Sequence, residues 1–168
     1  MRGSHFNCAF DSRVVLDKIN VMPSRNVDLG TIEEWRTLGF FYEVDESKMT
    51  WTLRGDRKGL ASFAQKVRSY AKDPRNVVIG EHEHFGPYFY LTLTTGVGPA
   101  IDGLGWKGRP DDFLRLAATI DSYLVRPAQS EFVIATDYAP GTLFSIYFKI
   151  ESDGFDPSSA DSLIQHRS

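Results

Sequence analysis

A single cysteine, Cys8, stands in 168 residues. An intrachain disulfide is therefore excluded, and the chain must be held together by burial rather than by a covalent staple. No apolar run is long enough to span a bilayer or to serve as a secretory core segment, so the sequence predicts no membrane partner and a reducing, cytoplasmic setting. An excess of one charge is also missing. Lys and Arg number 19 against 22 Asp and Glu, a net charge of -3 that is mixed along the chain rather than blocked. Neither a nucleic-acid footprint nor a polybasic membrane patch is present. No serine lies in a glycine elbow, and the glycines of Gly96-Val97-Gly98-Pro99 and Gly103-Leu104-Gly105 lack the lysine-serine ending of a phosphate loop. That glycine-rich stretch reads as a linker, although Ile101 to Lys107 could supply a short strand.

What is present is core material. Hydrophobic residues make up 42% and aromatic residues 13%, enough for one cooperative domain rather than a disordered chain. The stretch GDRKGLASFAQKVRSYAKDPRNVVIGEHEHFGPYFYLTLTT, from Gly55 to Thr95, pairs without a gap with Gly108 to Phe148 at a shift of 53 positions. The pairs fall at buried spacing: Leu60 with Phe113, Phe63 with Leu116, Ala64 with Ala117, Val67 with Ile120, Leu93 with Ile146.

Each copy reads as an amphipathic helix followed by a hairpin. Asp56 can cap the first helix, and Pro110 can open the second where its missing amide costs nothing. Val77 to His84 with Tyr88 to Thr95, and Glu131 to Asp137 with Thr142 to Ile150, have strand composition around Pro87 and Pro140. Ahead of them, Leu29 to Leu38 reads as a helix capped by Thr31. Phe40 to Val44 and Met49 to Arg54 read as a hairpin over Asp45 to Lys48.

The expected fold class is α+β: tandem βαββ repeats forming an antiparallel or mixed sheet of about six strands with two helices on one face. Residues 1–28 read as a partly disordered extension that begins like an affinity tag (Met1 to His5) and holds an edge strand over Arg13 to Met22. Residues 29–151 form the domain, with pseudo-repeats at about 49–95 and 102–150. Residues 152–168 read as a flexible tail with one helical turn near Ala160 to Gln165. Trp35, Trp51 and Trp106 adjoin apolar positions and are assigned to the core.

Glu81-His82-Glu83-His84 is the densest ionisable cluster. On a strand, His82 and His84 share one face and the two glutamates the other. Two imidazoles at this spacing can reach one divalent transition metal such as zinc, but a stable site needs further ligands that no spacing identifies. Local hydrogen bonding on a half-exposed strand is the plainer reading. In the second copy the same positions hold Ala135 and Asp137. Tyr88 and Tyr90, placed with His82 and His84 on one sheet face, complete a surface suited to binding a partner or ligand. Cys8 lies in loose context and is not assigned as a nucleophile.

The run GLASFAQKVRSYA followed by GEHEH resembles small bacterial immunity proteins of polymorphic-toxin systems, in which a glycine-leucine helix precedes a strand with an alternating histidine pair. The segment LGTIEEWRTLGFFYEVDESKMTWTLRGD, with EHEHFGPYFYL, is similar to a family of uncharacterised bacterial proteins. Together the two cover about half the chain. The resemblance implies a non-enzymatic cytoplasmic protein without cofactor that blocks a protein partner. Two alternatives stand beside it: a metal-dependent enzyme using His82 and His84, and a self-associating homodimer with a small ligand between sheet faces.

Overall fold

The computed structural model describes residues 25–88 and 91–165. The predicted edge strand at Arg13 to Met22, Cys8 and the other residues before Arg25 lie outside the described residues, while the last four residues of the expected extension begin helix α1 (Arg25–Leu38).

Two long helices organise the chain. Helix α2 (Arg57–Lys72) buries Leu60, Phe63, Ala64, Val67 and Tyr70 along one stripe, and Asp56 accepts the Gly59 N–H at its start. Helix α3 (Pro110–Leu124) buries Phe113, Leu116, Ala117 and Ile120; Asp112 turns back to accept the Arg109 N–H at 2.9 Å. The stripes meet each other, with Tyr70 and Phe113 edge-on at 5.2 Å. The helices run antiparallel. Arg57 at the start of α2 donates to the carbonyls of Leu124, Arg126, Pro127 and Gln129, satisfying the last carbonyl of α3 and tying down the turn that follows it.

Among the described residues, eight strands flank this pair: β1 (Phe41–Asp45), β2 (Thr50–Gly55), β3 (His82–Phe85), β4 (Leu91–Thr95), β5 (Ala100–Asp102), β6 (Gly105–Gly108), β7 (Glu131–Ile134) and β8 (Ser145–Ile150). They form two four-stranded sheets, ordered β1-β2-β8-β7 and β3-β4-β6-β5. In each, a central parallel pair is flanked by antiparallel strands. The α+β class stands, but the expected tandem βαββ repeats forming a single sheet of about six strands with both helices on one face are corrected: there are two sheets, and the helix pair contacts both. Each half of the chain sends one hairpin to each sheet, so neither half closes by itself.

The reason lies after α2. Sixteen helical residues carry the chain roughly 24 Å, and the next segment is tied down there. Asn76 donates to the Tyr70 carbonyl, Thr95 to the Asn76 carbonyl, and Tyr70 to the Glu81 carbonyl. The chain begins β3 at that far end instead of returning to β2. The same anchoring shortens the expected Val77–His84 strand: Pro74–Val77 is a 3-10 turn, and Val77, Val78 and Ile79 are exposed.

Phe63 joins the layers, its ring 5.1 Å from Trp106 on β6 and 6.4 Å from Phe148 on β8. Trp51 on β2 meets Trp106 edge-on at 6.4 Å and donates from Nε1 to the Asp102 carbonyl. All three tryptophans are buried.

Further expectations are refined. The Gly96–Gly105 linker contains β5 and the turn of the β5–β6 hairpin. Helix α1 (Arg25–Leu38) starts before Thr31, which is buried within it rather than capping it. Residues 152–165, expected as a flexible tail, pack on α1: Arg36 bonds Asp156 at 2.7 Å, and Trp35 Nε1 donates to buried Asp161 at 2.8 Å. The tail includes a 3-10 turn (Pro157–Ala160) and a final helical turn, α4 (Ser162–Gln165), the latter as expected.

Candidate functional site

The pairing register decides which side chains share a face. His82 lies opposite Thr94 and His84 opposite Thr92, while Lys107 and Gly105 on β6 continue the same two rows across β4. Leu91, Leu93 and Trp106, the intervening residues, are buried toward the helices. His82 and His84 therefore stand on the outer face of the second sheet, and Glu83 across from Leu93 on the other, as strand alternation predicts.

Both imidazoles are oriented. His82 Nδ1 lies 3.0 Å from the Gly80 carbonyl, which can only accept, so this nitrogen carries the proton. His84 Nδ1 lies 3.0 Å from the Thr92 hydroxyl. The rings meet edge-on, centroids 4.9 Å apart. Beside them opens a cavity of about 700 Å³, with Thr92, Thr94, Gly105 and Lys107 from the sheet and Leu104 from the β5–β6 turn. The β1–β2 hairpin of the other sheet adds Val44, Glu46 and Trp51.

The cavity exists because its floor is made of small residues. Gly105 has φ +145°, and a Cβ there would lie 2.1 Å from the Thr92 carbonyl oxygen. Only glycine lets β6 lie this close to β4. At the rim, Lys107 Nζ is 2.8 Å from the Asp102 carboxylate. Burial pushes the Asp102 carboxyl up, but the bonds from Lys107 and the Leu104 N–H outweigh it and hold the group below its ordinary value.

Tyr88 does not share this face. It sits at φ +65° in the turn after β3, held where Tyr42 donates to the Phe85 carbonyl, and lines a smaller cavity of about 210 Å³ with Trp35, Phe41, Pro87 and Leu163. Val44 and Trp51 border both cavities and separate Tyr88 from the histidines. Tyr90 lies outside the described residues.

The counterparts of the histidines are corrected as well. Leu53 pairs with Phe148 as Trp106 pairs with Leu93, so β8 corresponds to β4 with Phe148, not Ile146, in the place of Leu93. The constant shift thus fails beyond the helices. His82 and His84 correspond to Glu131 and Val133, which face Lys149 and Tyr147, and not to Ala135 and Asp137.

Among the described residues, no group of three or more His, Cys, Asp and Glu is placed to hold a metal ion. Val44, Glu46, Trp51, Leu104 and Lys107 were not singled out by sequence as site residues. The threonines alternating with Leu91 and Leu93 were the one local signal of an uncovered sheet face. No helix among the described residues is long and apolar enough to cross a membrane.

Fold and site together define an α+β chain with two mixed sheets packed on an antiparallel helix pair and, among the described residues, an open histidine-bearing face on one of them. Comparison with protein-family models, curated proteins and solved structures finds no match to the chain.

Proposed function

We propose that this is a non-enzymatic binding protein of the immunity type, which blocks a protein partner through the outer face of its second sheet. The observation that supports this most is the contrast between a hollow of about 700 Å³ beside His82 and His84 and the corresponding face of the first sheet, where long side chains bond to one another. Oriented imidazoles, threonine hydroxyls and an apolar wall suit a partner's protruding side chains, which gain affinity where fully desolvated. The two sheets share one strand order and differ in surface.

Affinity capture from the native host, with stoichiometry measured, tests the reading. One protein recovered in equimolar amount from wild type, and lost with H82A/H84A, is the expected result. Repeated recovery of the wild-type protein alone would overturn it.

A metal-dependent reading is favoured by one observation. The Gly80 carbonyl bond fixes the His82 tautomer and ring orientation in the way outer-shell partners fix metal-ligating histidines. It requires at least one ligand beyond His82 and His84, from outside the described residues or from a partner. Elemental analysis of tag-free protein tests it: zinc, iron, nickel and manganese all well below one equivalent would remove it.

A further inference from the structure

We propose that β3 accepts an extended basic segment of the partner protein as an added strand on the second sheet; this rests on the binding reading above and specifies its partner. Among the described residues, β3 is an outermost strand of that sheet. The Thr95 N–H donates to the Glu81 carbonyl at 2.8 Å, and bonding alternates along an antiparallel ladder, so Glu83 bonds across to β4 while the N–H and C=O of His82 turn toward the outer edge. Main-chain groups on such an edge are a template for a strand from another chain.

Room for that strand exists. A third cavity of about 590 Å³ lies along β3 and α1, bordered by Glu33, Glu34, Lys66, Glu83 and the edge of His84. Three carboxylates against one ammonium make it acidic. Glu81, at the start of the strand, adds a fourth; Arg75 reaches Glu81 and Glu83 electrostatically, but its guanidinium is bonded to Asp73 at 2.6 Å. Edge-to-edge pairing with a second copy would oppose Glu81 and Glu83 to their own kind, which disfavours a dimer here and favours a cationic strand. The opposite edge of the sheet, β5, has only three residues and makes a poorer template.

Strand alternation then sets the pattern of the segment. Side chains on the helix side meet Glu33, Glu34 and Glu83, while their neighbours emerge beside His82 and His84 at the largely apolar cavity with Val44 and Leu104. Lys or Arg alternating with apolar residues fits both sides.

The test uses the full chain labelled with nitrogen-15 and two peptides, acetyl-KVKVKVK-amide and acetyl-EVEVEVE-amide. The lysine peptide is expected to give saturable shifts of the His82 and Glu83 amides, with affinity at least about ten-fold weaker for E33K/E34K. The glutamate peptide is expected to leave these amides unmoved. Absence of shifts at β3 up to millimolar peptide, equal response to both peptides, or unchanged affinity of E33K/E34K would each overturn strand addition. Those results leave the binding reading standing if the native partner is still captured and lost with H82A/H84A. Capture of nothing by wild type overturns that reading instead.

Discussion

The outer faces of the two sheets are built on one strand order and have opposite surfaces. On the first, corresponding rows read Phe41-Arg54-Lys149-Glu131 and Glu43-Thr52-Tyr147-Val133; on the second, Ala100-Lys107-Thr94-His82 and Asp102-Gly105-Thr92-His84. Long side chains on the first face bond to one another. Arg54 and Lys149 both reach Glu151, at 2.8 and 3.3 Å, Tyr147 donates to Glu131, and Phe155 lies against the Arg54 guanidinium. Glycine and threonine leave the second face hollow. One scaffold thus supports a self-satisfied surface and an open one, and the difference lies in side-chain volume rather than in topology.

The strongest way to break the comparison is at its narrowest point. Gly105→Ala forces a Cβ against the Thr92 backbone and should cost about 3 kcal/mol or more, read by urea unfolding, whereas Thr52→Ala at the corresponding position of the first sheet should cost no more than about 1 kcal/mol. Next comes the tail beside the first sheet. Trp35→Phe keeps the ring packing but removes the indole donor to buried Asp161, so a loss of about 2 kcal/mol in the same assay is expected.

Filling the hollow sharpens the comparison. T92Y/T94K gives the second face the side chains of the first; stability should change by less than about 1 kcal/mol, while partner capture falls at least about ten-fold. Unchanged capture would show that the hollow is not the binding surface.

The smallest effect is one of pH. Burial pushes the Glu151 carboxyl up, but the hydrogen bonds from Arg54 and Lys149 outweigh it and hold the group below its ordinary value. Its contribution is present above the unfolded carboxylate range and lost as pH falls through the lower folded value. Glu151→Gln should therefore flatten the acid limb of a Tm-against-pH curve between about pH 6 and about pH 3, with little change of its shape at neutrality.

How far these features could be read beforehand follows the distance over which each is decided. Both helices, the Asp56 cap, the Pro110 start, the buried stripes and the three core tryptophans rest on spacing within a few residues, and all appear where the pattern placed them. Histidine alternation put His82 and His84 on one face for the same reason. Tyr88 escaped because its positive φ breaks the strand that was to align it with them. The β5–β6 hairpin escaped because glycine-rich composition resembles a linker until Gly105 is seen against Thr92.

Local periodicity by itself determined that this chain makes two amphipathic helices with hairpins around them, and that one strand carries an alternating imidazole pair. Only the tertiary structure decided that hairpins from opposite halves join, that the β4–β6 register sets glycine and threonine beside the histidines, and that Glu151 and Phe155 meet Arg54 on the other sheet. Strand partners are chosen by contacts between residues far apart along the chain, and a two-residue offset in register leaves the hydrophobic alternation unchanged while altering which side chains lie side by side.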